Sequence, residues 1–245
     1  EQPARQKIEK RLHKWLANKI ELVLRPLQKI QRAPLEGAAR GIVFQFVEGL
    51  GVLPKRNVGN QILVLKKGDY GAFRRIGIKI GRQEIFMPAL LRPKTAALTA
   101  LLWAVFHELE AIPSPPPPGR VSMPVHPDLP QGFYKVAGFR RTGTMLLRVD
   151  ILERLIGQIR RRVSNGPFVV DAELLNLAGF TSDEMDGVLG ALGFHGTLKN
   201  GKTVYKRSLR NPGRKRKLGI AGKALSGIVD ETSPFAKLKD LSVGS

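Results

Sequence analysis

Apolar residues recur at helical spacing over residues 5–31: Ile8, Leu12, Trp15, Leu16, Ile20, Val23, Leu27 and Ile30. That period predicts one long amphipathic helix. Arg5, Lys7, Lys10, Arg11, Lys14 and Lys19 make its other face basic, which reads first as a solvated surface. Pro26 is expected to kink the helix or start a new segment. Residues 35–53 predict a second helix, apolar on most sides through Ile42, Val43, Phe44, Phe46, Val47 and Leu50, and therefore buried; Gly51 and Pro54 stop it. Residues 57–67 and 69–75 predict two short helices. Alternation of Ile76, Ile78 and Ile80 predicts a short strand. Residues 84–91 are apolar and broken by Pro88, and residues 94–109 predict another helix with Leu98, Leu101, Leu102, Val105 and Phe106 inward.

The run Ser114-Pro115-Pro116-Pro117-Pro118-Gly119 interrupts the pattern. Consecutive prolines hold an extended backbone without internal hydrogen bonds, so a linker over residues 113–129 is expected. Residues 130–136 predict a helical turn, and residues 138–149 a hairpin turning near Gly143. Asp150 is expected to cap the next helix, with Glu153 at capping-box spacing and Ile151, Leu152, Leu155, Ile156 and Ile159 as its stripe. Arg160, Arg161 and Arg162 end that helix, where positive charge complements the helix dipole. Asn165-Gly166-Pro167 reads as a loop.

The most specific local pattern runs from Asp171 to Arg207. Asp171 can cap a short helix carrying Leu174, Leu175, Leu177 and Ala178, and Gly179 ends it. Thr181 and Glu184 have capping-box spacing at the start of a second helix striped by Met185, Val188, Leu189 and Leu192, closed by Gly193. Asn200-Gly201 then separates two strand-like runs, a strong hairpin signal. Helix, turn, helix, hairpin is a winged-helix pattern. A small α/β packing module fits the same pattern.

Composition directs the functional reading. The chain has 245 residues, of which 42% are hydrophobic, with a formal net charge of +21 and no cysteine; its pI is about 10.8. Such a charge calls for an anionic partner, nucleic acid first and an anionic membrane surface second. Absent cysteines exclude disulfides and thiolate metal sites and fit a reducing cytoplasm. No apolar run reaches membrane-spanning length, and no signal peptide is seen. A chain beginning at Glu1 reads as a piece of a longer protein.

Catalytic signatures do not assemble. The segment from Gly196 to Thr203 fits the phosphate-loop string GxxxxGK[ST]. That chemistry needs a strand before the loop and a helix after it. Val204, Tyr205, Lys206 and Arg207 followed by Pro212-Gly213 make a poor helix, and the hairpin explains these residues better. His13, His107, His126 and His195 lie far apart, without metal-type partners at helical spacing. Asp183, Glu184 and Asp186 crowd one helix start, where the dipole accounts for them. No active site, cofactor or metal site is expected within this chain.

Four stretches carry a resemblance: GAARGIVFQFVEGLGVL (37–53), GIKIGRQEIFMPALLRPKTAALTALLWAV (77–105), FYKVAGFRRTGTMLLRVDILERL (133–155) and SPFAKL (233–238). Together they resemble the C-terminal region of bacterial, alphaproteobacterial, superfamily 2 helicases related to the mitochondrial degradosome RNA helicase. The resemblance implies an accessory region that packs on two RecA-like helicase domains, absent here, and helps guide nucleic acid. It implies a bacterial cytoplasmic location, and no ATPase residue is carried over.

The expectation is a mainly α protein with small β-hairpins (α+β). A helical lobe over 1–112 precedes the linker, a winged-helix-like α/β lobe covers 130–207, and a basic flexible tail covers 208–245. The second helix of the winged pattern carries acids and no Lys or Arg, so phosphate repulsion disfavours its entry into a DNA groove. The expected nucleic-acid contacts are Lys199, Lys202, Lys206 and Arg207 on the hairpin, and Arg210, Arg214, Lys215, Arg216 and Lys217 in the tail. They would bind RNA or single-stranded nucleic acid through its backbone. Residues 233–238, SPFAKL, are expected to dock on a protein partner. A free-standing winged-helix DNA-binding protein, or a basic module for ribosomes or membranes, remain the alternatives.

Overall fold

The apolar stripe of the first helix is buried along its second half only. In the computed structural model, which describes residues 2–199 and 201–207, α1 (Gln2–Gln31) runs through Pro26 as one continuous helix. Leu24, Leu27 and Ile30 are buried, whereas Ile8, Leu12, Trp15 and Leu16 stay exposed. The buried half packs against α2 (Gly37–Glu48) and α5 (Pro93–Phe106). Ile42, Val43 and Phe46 of α2 enter this core, while Phe44 points to solvent.

Helix α2 stops earlier than its apolar sequence suggests. Gly49 donates to the Gln45 carbonyl, Leu50 and Gly51 take positive φ of 52° and 94°, and Val52–Pro54 becomes strand β1. A Cβ on Gly51 would collide with the Leu90 side chain, so the reversal needs glycine for space and for φ. A 3-10 turn (Lys55–Val58), α3 (Gly59–Leu63) and α4 (Lys67–Arg75) follow. β2 (Lys79–Ile80) and β3 (Glu84–Phe86) complete an antiparallel sheet ordered β1-β3-β2.

Beyond the proline run, β4 (Ser122–Pro124) pairs with β6 (Met145–Arg148), which also pairs with β5 (Phe139–Thr142). α6 (Gln131–Val136) packs on α5: Trp103 sits over Gly132, where any Cβ would strike the indole. Then come α7 (Val149–Val163), β7 (Phe168–Val169), α8 (Ala172–Ala178), α9 (Ser182–Ala191), β8 (Phe194–Lys199) and β9 (Lys202–Arg207). The third sheet is ordered β7-β9-β8. The fold is mixed α+β, and each expected hairpin has gained a third strand.

Side chains from both sides of the proline run meet. Val52, Phe86 and Val149 form one small buried cluster. The start of α7 departs from expectation. Arg148 is its N-cap and makes no side-chain cap bond; Asp150 instead takes a two-pronged hydrogen bond from Arg148, at 2.7 and 3.0 Å. Glu153 reaches away from its own helix. Its carboxylate accepts the backbone N–H groups of Arg82, Gln83 and Glu84 at 2.5, 2.8 and 2.8 Å. Those three donors come from the turn between β2 and β3 and the first residue of β3. With Arg148 as N-cap the third helical position is Ile151, so Asp150 lies inside the helix and Glu153 is out of register for a capping box.

Candidate nucleic-acid interface

The candidate surface is built from local rules outward. Asp171 accepts from Leu174 N–H at 2.9 Å and starts α8; Gly179, at φ +64°, ends it in the left-handed region. Thr181 and Glu184 close a true capping box at the start of α9. Met185, Val188 and Leu189 are fully buried against α7, α8 and Tyr205. Arg162, in the last turn of α7, forks to Asp171 at 2.6 Å and Glu173 at 2.9 Å, tying that helix to the start of α8. These bonds hold the Asp171 carboxyl below its usual range, and Glu173 is lowered by Gln158 and then Arg162. Of the three arginines expected to terminate α7, Arg162 is therefore already neutralised.

On this base stands the β8–β9 hairpin. Its register sets Phe194 opposite Arg207, His195 opposite Lys206, and Lys199 opposite Lys202. Tyr205 is buried beside Phe168, ring centroids 5.8 Å apart, so residues of its parity face inward. Lys202 and Lys206 take the opposite parity and share the outer face with Lys199 and His195, all exposed. Lys199 directly opposite Lys202 is a repulsive pair. Among the described residues no carboxylate lies within 4.0 Å of these three lysines.

Arg207 belongs to the other face. It lines a hollow of about 390 Å³ together with Arg82, Arg160 and Phe194. The structure thus separates the four hairpin cations into three on one face and one on the other. Arg82 and Arg160, which sequence reasoning did not join to Arg207, come from the β2–β3 turn and α7. The proposed tail contacts Arg210, Arg214, Lys215, Arg216 and Lys217, and the docking segment 233–238, lie outside the described residues, as does Asn200 at the hairpin tip.

Helix α9 offers no cation. Its exposed side carries Ser182, Asp183 and Asp186, and burial together with Asp183 raises the Asp186 carboxyl above its usual range. The phosphate-loop string lies across the two antiparallel strands, Gly196–Lys199 in β8 and Lys202–Thr203 in β9, with no helix following within the described residues. Among those residues no group of three His, Asp or Glu side chains is placed to hold a metal, and no helix is long and apolar enough to cross a membrane. No family model, curated protein or solved structure matches the chain.

Proposed function

We propose that this chain is an accessory, nucleic-acid-binding module of a superfamily 2 helicase in the bacterial cytoplasm, gripping RNA or single-stranded nucleic acid by its backbone. The observation that carries the binding reading is the outer face of the hairpin: Lys199, Lys202 and Lys206 share it, exposed and without a carboxylate within 4.0 Å among the described residues. Adjacent like charges weaken a free hairpin and become favourable once a phosphate lies between them. A chain charge of +21 supports a polyanion as partner.

The order α7, β7, α8, α9, β8, β9, with its sheet ordered β7-β9-β8, supports a winged-helix reading of this part. Asp183 and Asp186 on α9 speak against insertion of that helix into a major groove, so the wing rather than the helix is the binding element. The helicase context rests on the resemblance of the four stretches, and the RecA-like core would then be a partner that supplies ATP hydrolysis. The tail cations and the 233–238 segment extend the binding and docking surfaces of the same module.

Fluorescence anisotropy with single-stranded RNA, single-stranded DNA and duplex DNA tests this reading. Replacing Lys199, Lys202 and Lys206 together by Ala should weaken all single-strand sequences alike. It should lower the salt slope by about two, from about 0.7 per phosphate contact. Salt-resistant binding to one duplex sequence would instead favour a free-standing DNA-binding protein. Unchanged affinity would remove the hairpin from the interface.

A further inference from the structure

A further concavity is lined by none of the β8–β9 hairpin residues. A cleft of about 980 Å³ opens between the 3-10 turn after β1, the loop before α6, α6 itself and the β5–β6 hairpin. Four cations line it: Arg56, Lys135, Arg140 and Arg141. These residues are 85 positions apart at the extremes, and the fold brings them to one wall system from three separate elements.

Among the described residues one carboxylate forms an ion pair with this set. Glu84, on β3, has a side chain only 2% exposed, with Arg140 at 3.5 Å. Burial raises the Glu84 carboxyl above its usual range, against the attraction of Arg140, and the next cations acting on it are Lys135 and Arg56. Burial likewise lowers the Lys135 ammonium, which Glu84 opposes. Arg140 has its counter-ion. Arg56, Lys135 and Arg141 have no carboxylate within 4.0 Å among the described residues. His126, also on the wall, has Asp128 at 3.7 Å, at an exposed position.

Three cations without an ion-pair partner among the described residues, in a concave and partly desolvated site, focus positive potential where a flat surface would not. Arg56 and Arg141 are exposed at the mouth, and Lys135 is half-buried. Set around a cleft of about 980 Å³ on three separate elements, they suit consecutive phosphates of a strand better than one small anion held in a closed nest. We infer that this cleft is a second single-strand site, taking the phosphodiester backbone on Arg56, Lys135 and Arg141, with Glu84 setting its net charge. The inference rests on the nucleic-acid reading above and adds to the hairpin a second surface, built from residues on both sides of the proline run.

The test uses the full chain in four forms: unchanged, Lys199→Ala/Lys202→Ala/Lys206→Ala, Arg56→Ala/Arg141→Ala, and Glu84→Gln. The probe is a labelled single-stranded RNA of about 12 nucleotides, titrated at about 50 and 200 mM salt. Unlabelled UMP and inorganic pyrophosphate serve as competitors. Arg56 and Arg141 are exposed, so their replacement should leave the melting temperature in place. The expected result is a drop in affinity of roughly tenfold or more and a salt slope lower by about 1.4 for the cleft variant. Tighter binding is expected for Glu84→Gln.

Cleft and unchanged protein binding alike, with the hairpin variant weakened, would overturn the cleft and leave the nucleic-acid reading standing. No strand binding by the unchanged protein would overturn both. UMP or pyrophosphate competing as well as the oligonucleotide, mole for mole, would overturn the strand and assign the cleft to a small phosphorylated ligand.

Discussion

Glu153 on α7 accepts the backbone N–H of Glu84 at 2.8 Å, across 69 positions of the chain. The same carboxylate takes two further N–H groups from the β2–β3 turn, so one side chain satisfies three donors that the short sheet leaves over. Replacing Glu153 by Ala strands these donors, one of them partly buried. The expected loss is about 2–3 kcal/mol, seen as a lower urea midpoint at unchanged slope. Glu153→Gln keeps an acceptor and should lose less.

Gly81 stands against that carboxylate. An added Cβ would meet the Glu153 carboxyl carbon and, at 2.6 Å, the Glu84 carbonyl oxygen. Gly81→Ala should therefore destabilise by about 1–3 kcal/mol. The two sites share a contact, so a double-mutant cycle should be non-additive, with Gly81→Ala costing less once Glu153 is Ala. Additivity within about 0.5 kcal/mol would show that the glycine acts through the backbone alone.

Acid should loosen the join between α7 and α8. The Asp171 and Glu173 carboxyls are lowered in the folded protein, Asp171 chiefly by Arg162 and Glu173 by Gln158 and Arg162. A lowered acid contributes stability above the ordinary carboxylate range and loses it as pH falls through the folded value. The melting temperature should fall below about pH 4, and Arg162→Ala should flatten that limb. Solvent screens these pairs, so the effect is a modest change of slope.

Glu84 works in the other direction. Its carboxyl is raised by burial, so the folded state holds the proton more tightly than the unfolded chain. Stability from this group is then lost as pH rises from the ordinary carboxylate range through the folded value. Glu84→Gln should remove that decline, measured as melting temperature between about pH 4 and 7. A profile identical to that of the unchanged protein would place the Glu84 carboxyl in water.

Local chemistry was legible and long-range chemistry was not. The Asp171 cap, the stop at Gly179 and the Thr181–Glu184 box are encoded within four residues each, and the structure has them as read, with Gly179 in the left-handed region. The same box spacing at Asp150–Glu153 misleads, because the helix already starts at Val149 with Arg148 as its N-cap; Glu153 is then free to take backbone donors from residues 82–84. Strands β1 and β7 are too short to show a period of two; pairing with β3 and β9 creates them. Periodicity over α1 marks an apolar stripe correctly but cannot tell that Ile8, Leu12 and Trp15 have no neighbour to cover them among the described residues. Arg56, Lys135 and Arg141 are unremarkable in sequence and acquire meaning only when the fold gathers them.

Among the described residues, the sheet order β7-β9-β8 leaves β8 as a six-residue edge strand. Such an edge is a template for pairing with another chain, and Leu198, 74% exposed, adds an apolar contact there. Lys199 on the same strand, with Lys202 and Lys206 beside it, guards the edge by repulsion between copies. Salt that screens these charges beyond about 8 Å weakens that guard as it weakens a grip on phosphate. Solubility and strand affinity should therefore decline together with ionic strength, and a bound polyanion, by covering the edge, should keep the protein from aggregating.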